Sequence, residues 1–231
     1  MDFSGRRVVV TGGTGALGTA VVADLLTAGA TCTVPYVHEA EAQSFPSRGD
    51  PNVTLIAVSD LSDETQVAKV YEGLTPWASI HIAGGFAPGK VTETDKKALM
   101  AQIDSNLASC FLCCRAAAKV MLASGGGRIV NVAARPALEW RSGAGMTAYT
   151  VAKAGVAALT VALAEEVAKD GVLVNAVAPS IMDTPANRKA MPKANFDAWP
   201  KVEEVAATIL FLASPDNRVT RGAIVPVYGK S

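Results

Sequence analysis

Short runs of β-branched residues alternate with longer stretches of helical periodicity along the whole chain. The β-branched runs are almost continuously apolar, which is typical of strands that are covered on both faces of a sheet. Strands are predicted at 6–11, 31–34, 53–58, 79–83, 128–132, 172–177 and 224–227. Helices are predicted between them at 16–28, 62–74, 93–123, 147–169 and 202–213. This alternation favours an α/β fold, a single doubly wound domain over 1–231 with a mostly seven-stranded parallel sheet flanked by helices.

Composition narrows the class of protein. The 231 residues are 50% apolar and 18% charged, which is enough to bury a sizeable core. The net charge is zero and no basic block occurs, so neither nucleic acid nor an anionic membrane is an expected partner. No uninterrupted apolar run approaches the roughly 18 residues of a membrane span. The N-terminal sequence enters a strand without a signal-peptide layout, so we expect a cytoplasmic protein that acts on a small-molecule substrate.

The cysteines could in principle form disulfides or bind metal. They are Cys32, Cys110, Cys113 and Cys114, and three of them lie in one predicted helix. A disulfide framework would need dispersed cysteines in a secreted chain, and a zinc site would need more ligands than His38 and His81 add. We therefore predict no metal site and expect the cysteines to pack as small apolar residues.

A glycine-rich turn follows the first predicted strand. Residues 11–18 read T-G-G-T-G-A-L-G, with glycine at Gly12, Gly13, Gly15 and Gly18. Such a turn lets the backbone approach a pyrophosphate, and the helix that follows points its free N–H groups at that anion. The alternative is a tight strand-to-helix turn with no ligand. The position of the glycine-rich turn between a strand and a helix favours a Rossmann-type dinucleotide site.

Two further positions concern the rest of a dinucleotide. Asp60 ends the third predicted strand, where its carboxylate could accept a hydrogen bond from adenine; the alternative is a helix N-cap, a role that Ser62 or Asp63 could also take. Tyr36 stands where an acid would bind the ribose 2′-hydroxyl of NAD. His38 is a weak candidate for a 2′-phosphate, so the choice between NAD and NADP stays open.

Several motifs in a fixed order resemble one enzyme family. They are T-G-G-T-G-A-L-G, V-S-D-L, N-L-A-S-C-F, R-I-V-N-V, Y-T-V-A-K, N-A-V-A-P and E-E-V-A-A-T-I-L-F-L-A-S-P. Together they resemble the short-chain dehydrogenase/reductase family over nearly the whole chain. The resemblance implies that Tyr149 donates a proton, and that Lys153 lowers the tyrosine pKa and holds the nicotinamide ribose. It also implies that Asn106 orders a relay water, although Asn106 could instead be a buried amide that satisfies backbone groups. Thr184 would meet the nicotinamide carboxamide.

The same resemblance implies an extended NAD or NADP site. Its residues would be Gly12, Gly13, Thr14, Gly15, Ala16, Leu17, Gly18, Tyr36, His38, Asp60, Leu61, Ala83, Gly84, Gly85, Tyr149, Lys153, Pro179, Ile181 and Thr184.

Some positions depart from the common family pattern. The usual serine falls at Ala134, or at Ala133 if the alignment slips by one. After the fourth predicted strand, His81-Ile82-Ala83-Gly84 replaces Asn-Asn-Ala-Gly. Pro179-Ser180 replaces Pro-Gly, and Ala16 replaces a glycine. The departures and residues 183–199 resemble the dihydropteridine reductase branch. An active site without the serine favours an activated, quinonoid or pterin-like acceptor. The alternatives are a carbonyl or alcohol substrate, with Ser142 or Thr147 replacing the serine, and a non-catalytic redox sensor that binds the dinucleotide.

The segment 179–200 contains several prolines and follows a predicted strand. A segment this long in a compact domain is usually functional, so it is predicted to be a substrate lid, although it could merely cap the sheet. Trp199 and Phe196 could then stack on a flat substrate ring, with packing as the alternative. The family also implies a homodimer or homotetramer, paired through the helices that carry Asn106 and Tyr149.

Overall fold

The seven strands form one parallel sheet. The computed structural model describes residues 1–231. The strands are β1 (Arg7–Thr11), β2 (Thr31–Tyr36), β3 (Val53–Ala57), β4 (Ala78–His81), β5 (Gly127–Val132), β6 (Val172–Pro179) and β7 (Ile224–Val227). Their order is β3-β2-β1-β4-β5-β6-β7, and every neighbouring pair is parallel. The order reverses direction between β1 and β4, which is the switch point where such sheets bind ligands. The predicted seven-stranded Rossmann-type fold is confirmed.

Helices cover both faces of this sheet. They are α1 (Ala16–Thr27), α2 (Glu39–Ser44), α3 (Glu64–Tyr71), α4 (Lys96–Gln102), α5 (Ser109–Ser124), α6 (Arg135–Leu138), α7 (Thr147–Glu166), α8 (Pro185–Ala190) and α9 (Val202–Ala213). Helices α1 and α9 pack in one core cluster with the strands, and α3, α5 and α7 pack in a second cluster. The sheet is therefore buried on both faces, as its apolar strands predicted.

One long predicted helix contains an irregular turn. Helices α4 and α5 are joined by a π-helical segment, Ile103–Ala108, so the chain is helical from Lys96 to Ser124. Single π-helical turns often occur at functional sites because they reorient one side chain. Here the turn contains Asn106, which is 1% exposed.

Two of the helical segments resemble membrane spans in length and hydropathy. Residues 96–124 and 147–166 satisfy that test, although no uninterrupted apolar run reaches that length. In this structure the inward faces of both segments pack against the sheet, as the core helices of a folded domain do. Length and composition alone are therefore weak evidence for a span.

The segment 179–200 is more ordered than a loose lid. It contains α8 and a 3₁₀ turn at Phe196–Ala198, and Asp183 N donates to Pro200 O at 2.9 Å. Trp199 is only 8% exposed and packs on Phe196, with ring centroids 5.0 Å apart. The two aromatic side chains are therefore used in packing the segment.

The glycine-rich turn after β1 leaves no room for side chains at key positions. Gly12 has φ +68°, a left-handed conformation that favours glycine. A Cβ on Gly18 would lie 2.1 Å from Gly12 O, closer than non-bonded atoms can approach. The first turn of α1 therefore packs directly on the loop backbone.

We expect Gly18→Ala to destabilise the fold by about 1–3 kcal/mol, because the added methyl group forces the loop away from α1. Urea unfolding followed by circular dichroism measures the change. Gly49→Ala is a matched control, because a Cβ there meets no atom within 4 Å. Equal stability of the Gly18 variant and the parent would show that the turn can relax without loss.

Candidate active site

Two adjoining cavities lie at the carboxyl ends of the strands near the switch point. The larger, called here the nucleotide cleft, encloses about 490 Å³. It is lined by Gly12, Thr14, Gly15, Ala16, Leu17, Gly18, Pro35, Tyr36, Val37, His38, Glu41, Asp60, Leu61, Ile82, Ala83, Gly84, Gly85, Ser105 and Ser109. Most of the predicted cofactor positions are in this set. Gly13 is not, because a Cβ on Gly13 would point at Val34 at 2.7 Å, away from the cleft.

The smaller cavity, called here the tyrosine pocket, encloses about 190 Å³. It is lined by Leu17, Ile82, Gly84, Gly85, Phe86, Asn106, Val132, Ala133, Ala134, Tyr149, Lys153, Pro179, Ser180 and Met182. The structure thus brings Tyr149, Lys153 and Asn106 together, as predicted. Leu17, Ile82, Gly84 and Gly85 line both cavities, so one elongated ligand can occupy the two.

Lys153 is buried beside Tyr149, one turn further along α7. Its Nζ donates to the carbonyl of Val132 at 2.8 Å and lies 5.9 Å from the centre of the Tyr149 ring. Burial lowers the pKa of Lys153 to about 8, partly offset by the nearby Cys110. Burial also raises the pKa of Tyr149 to about 12. Desolvation of the phenol is the cause of that rise, and the expectation that the charge of Lys153 lowers the tyrosine pKa stays a prediction.

The side-chain amide of Asn106 has hydrogen-bond partners at its nitrogen and none at its oxygen. Its Nδ2 donates to Gly85 O at 2.9 Å and to Gln102 O at 3.1 Å. Its Oδ1 is buried and accepts no hydrogen bond. A Cβ on Gly84 would lie 2.5 Å from this oxygen, so the glycine keeps the space in front of it open. A buried acceptor without a donor is costly, which favours a hydrogen-bonding ligand or water there.

The family serine has no direct replacement on β5 or in the loop before Tyr149. Ala133 and Ala134 line the tyrosine pocket and are 2% and 6% exposed. Ser142 and Thr147 line neither cavity, and Ser142 Oγ donates to Glu139 O at 2.7 Å. Neither one is therefore placed to act for the serine.

Ser180 is the pocket hydroxyl that the sequence reasoning missed. It lines the tyrosine pocket, and its Oγ donates to Tyr228 O at 2.9 Å. The signal in the sequence was the serine that follows Pro179, at a position where the family usually has glycine. Its hydroxyl is used within the fold, so the pocket presents no free hydroxyl beside Tyr149.

The aromatic wall of the pocket also differs from the expectation. Phe86 lines it, is 59% exposed and meets the Tyr149 ring edge-on, with centroids 5.1 Å apart. Trp199 and Phe196 line neither cavity, so the structure favours the packing alternative over stacking on a substrate. Phe86 follows Gly85 directly in the sequence and is the ring that a flat substrate would meet.

The remaining predicted cofactor positions lie partly inside and partly outside the two cavities. Pro179 lines the tyrosine pocket, but Ile181 is 44% exposed and lines neither cavity; Met182 lines the pocket instead. Thr184 also lies outside both cavities, and its Oγ1 caps α8 by accepting from Asn187 N at 3.2 Å. The cap uses Thr184 Oγ1 only as an acceptor, so its hydroxyl can still donate, and the expected carboxamide contact stays a prediction.

Acidic groups dominate the far end of the nucleotide cleft. Asp63 caps α3 by accepting from Thr65 N at 2.7 Å, so Asp60 is not needed as that cap. Asp60 is exposed in the cleft, where it accepts from Ser62 N at 2.8 Å. Glu41 also lines the cleft and accepts from Thr14 Oγ1 at 3.1 Å, and no lysine or arginine lines it. Glu41 was missed because it lies on α2, a helix too short to predict.

Comparison with known proteins identifies the family of the chain. The short chain dehydrogenase family profile matches residues 6–195. Galactitol 2-dehydrogenase of Rhizobium johnstonii is 34% identical over 97% of this chain and 94% of its own. 2,3-Dihydroxy-2,3-dihydro-p-cumate dehydrogenase of Pseudomonas putida is 32% identical over 100% of this chain and 96% of its own. The solved structure of ElxO with NADP bound has a TM-score of 0.87 at 25% identity and covers 97% of each chain.

These similarities agree with the nucleotide cleft at the switch point and with the tyrosine pocket beside it. The chain belongs to the short-chain dehydrogenase/reductase family and is an NAD(P)-dependent oxidoreductase.

Proposed function

We propose that Tyr149 is the proton donor of this oxidoreductase and that the substrate is an electron-poor acceptor of the quinonoid or imine-like kind, such as a quinonoid dihydropterin. The observation that carries the proposal is the composition of the tyrosine pocket. Tyr149, Lys153 and Asn106 converge on one side, and two alanines occupy the place of a second hydroxyl donor.

The roles of the three side chains follow from their surroundings. The nicotinamide supplies the hydride when it is bound. The Tyr149 hydroxyl passes its proton to the substrate heteroatom that receives the electron pair. Lys153, when protonated, stabilises the phenolate that remains. A water donating to Asn106 Oδ1 would begin the path by which Tyr149 regains its proton, which gives the unpaired oxygen a partner.

The missing hydroxyl limits the substrates that this pocket can reduce quickly. Losing one donor to a developing oxyanion typically costs about 100- to 1000-fold in rate. A quinonoid or imine-like acceptor needs less help, because hydride addition restores a stable ring system or neutralises an electron-poor carbon. The exposed Phe86 ring beside Tyr149 and the largely apolar pocket suit a flat substrate. The likeness of residues 183–199 to dihydropteridine reductases points the same way.

A carbonyl or alcohol substrate is the second candidate. The relatives named above are dehydrogenases of a polyol and of a dihydrodiol, which favours alcohol oxidation by relationship. A sensor that binds the dinucleotide without turnover is disfavoured, because the three polar side chains of the tyrosine pocket would then have no reason to meet.

We also propose that NAD is preferred over NADP. Glu41 lies in the nucleotide cleft near Tyr36 and His38, and no lysine or arginine lines the cleft to pair with a 2′-phosphate. A carboxylate at that end repels the phosphate and can accept from the ribose hydroxyl.

The purified protein should oxidise NADH in the presence of freshly generated quinonoid dihydropterin, and should do so faster than it oxidises NADPH. The loss of absorbance of the reduced nicotinamide measures both rates. Tyr149→Phe should lower turnover at least about 100-fold, because the proton donor is gone, and should leave NADH binding intact. NADH binding without turnover on either this acceptor or a ketone would instead support the sensor.

Ala134→Ser separates the two substrate classes. A hydroxyl at this position should raise the rate on a simple aryl ketone by about 100-fold and change the rate on the quinonoid acceptor little. Ser142→Ala is the control and should change neither rate, because Ser142 lies outside the pocket. If the parent protein reduces the ketone as fast as the quinonoid acceptor, the activated-acceptor proposal is wrong.

Reduction should slow as the pH rises through about 8. Lys153 is protonated below its pKa of about 8 and loses its charge above it, while Tyr149, with a pKa of about 12, keeps its proton. The value of kcat/KM should therefore be level below pH 8 and fall above it. Lys153→Arg keeps the charge at high pH, so its residual activity should lack this fall. The same fall in that variant would assign the titration to another group.

We propose, finally, that the chain forms a homodimer or homotetramer through α5 and α7. Phe111 on α5 is 50% exposed, and Val151 and Val161 on α7 are 51% and 44% exposed. Light scattering at micromolar concentration should give at least twice the mass of one chain. Phe111→Glu should at least halve that mass, and Val91→Glu, at a 70% exposed position off these helices, should not. A monomeric parent protein would contradict the proposal.

A further inference from the structure

A second cluster of chemically active side chains lies in the core outside both cavities. It consists of His81 at the end of β4, Asn131 on β5, and Cys110 and Cys114 on α5. None of the four is more than 5% exposed. Since neither cavity is lined by any of them, the proposed reaction does not use them directly.

The fold itself places these four residues together. His81 and Asn131 are register partners on the adjacent strands β4 and β5. Cys110 and Cys114 are four residues apart on α5, so they share the helix face that packs on those strands. Two strand positions and one helix face therefore converge without any loop.

The distances between the donor atoms fit a metal ion. Ligand atoms of His81, Cys110 and Cys114 all lie within 4.8 Å of one another. Cys114 Sγ is 3.4 Å from His81 Nδ1 and 3.3 Å from Asn131 Oδ1, and Nδ1 is 2.8 Å from that oxygen. Tetrahedral zinc with its usual bond lengths separates neighbouring ligand atoms by about 3.3–3.8 Å. The two distances from Cys114 Sγ match this spacing, and the pair of His81 Nδ1 and Asn131 Oδ1 would have to separate by about 0.5 Å.

The surrounding hydrogen bonds orient the donors as they are oriented around bound metals. His81 Nε2 lies 2.8 Å from Ser79 Oγ, so the ring can donate there and turn Nδ1 toward the cluster. Asn131 Nδ2 donates to Thr160 Oγ1 at 2.9 Å, which points Oδ1 at the cysteines. Outer partners of this kind fix the tautomer and direction of metal ligands.

We infer that His81 Nδ1, Cys110 Sγ, Cys114 Sγ and Asn131 Oδ1 bind a thiophilic metal ion of the zinc type. Binding releases one proton from each thiol, so Zn²⁺, two thiolates and a neutral imidazole form a buried group with no net charge. Neutrality matters because an unbalanced charge would be costly at this depth. The site is structural, and because it is closed to solvent the ion would enter as the chain folds.

The inference revises the sequence expectation, which counted too few ligands. It does not rest on the proposed reaction, although Cys110 lies near enough to Lys153 to raise the pKa of that lysine. In the metal-free alternative, protons on His81 Nδ1 and Cys114 Sγ both point at Asn131 Oδ1, and the cluster is an ordinary buried hydrogen-bond network. The two alternatives differ in whether an ion replaces those protons.

The experiment measures zinc in the full-length protein. The protein is produced in zinc-supplemented medium, reduced, passed over a chelating resin and assayed by elemental mass spectrometry. We expect one zinc per chain in the parent and loss of that zinc in Cys110→Ala and Cys114→Ala. Cys113→Ala and Cys32→Ala are matched controls, because these cysteines are equally buried but outside the cluster, and they should keep the ion.

A second measurement guards against variants that fold poorly. The chain is refolded with Co²⁺ under reducing conditions, and circular dichroism checks that each variant folds. The parent and Cys113→Ala should show thiolate-to-cobalt charge-transfer absorption, and Cys114→Ala should lack it. Absence of bound metal in the parent after both procedures, or equal metal in Cys114→Ala and the parent, would overturn the inference.

Discussion

The hydrogen bond from Lys153 Nζ to the carbonyl of Val132 connects the sheet with the chemistry of the site. It joins helix α7 to the last residue of β5 at a point where the ammonium group has lost its water. A buried charge is tolerated only when it is paired or hydrogen-bonded, so the strand end and the helix must keep their relative position. Tyr149 lies one turn before Lys153 on the same helix, and the alanines follow Val132 directly. The geometry of the tyrosine pocket therefore depends on this one contact.

The sequence was sufficient to predict the sheet and the meeting of Tyr149, Lys153 and Asn106 in one pocket. Period-two and period-3.6 patterns reflect burial, and burial dominates the strands and long helices of this fold. The short helices α2, α6 and α8 were not predicted, because four to six residues carry no periodicity and depend on caps such as Thr184. Glu41 and Ser180 were not predicted to line a cavity for a related reason. Each reaches its cavity because of the local backbone conformation, which the sequence pattern does not show.

The aromatic residues show a different limit of sequence reasoning. Trp199 and Phe86 are both apolar rings in loops, and nothing in their composition distinguishes a packed ring from an exposed one. Trp199 is buried and packs on Phe196 of the 3₁₀ turn, whereas Phe86 is exposed beside Tyr149. The rise in the pKa of Tyr149 could not be predicted for a similar reason, because charge is visible in a sequence and desolvation is not.

The paired strands β4 and β5 direct side chains to both faces of the sheet. His81 and Asn131 point into the core beneath α5, while the residues that follow them, Ile82 and Val132, line the tyrosine pocket. Successive strand residues face opposite sides, so a polar pair on one side can be exchanged with little effect on the side chains of the other. The same alternation explains how this chain can replace the asparagine usual at His81 and still keep Lys153 on Val132. A change in the buried cluster can reach the pocket through the charge of Cys110, which raises the pKa of Lys153. It can also reach the pocket through the backbone of these two strands, and the parallel ladder on both sides resists that shift.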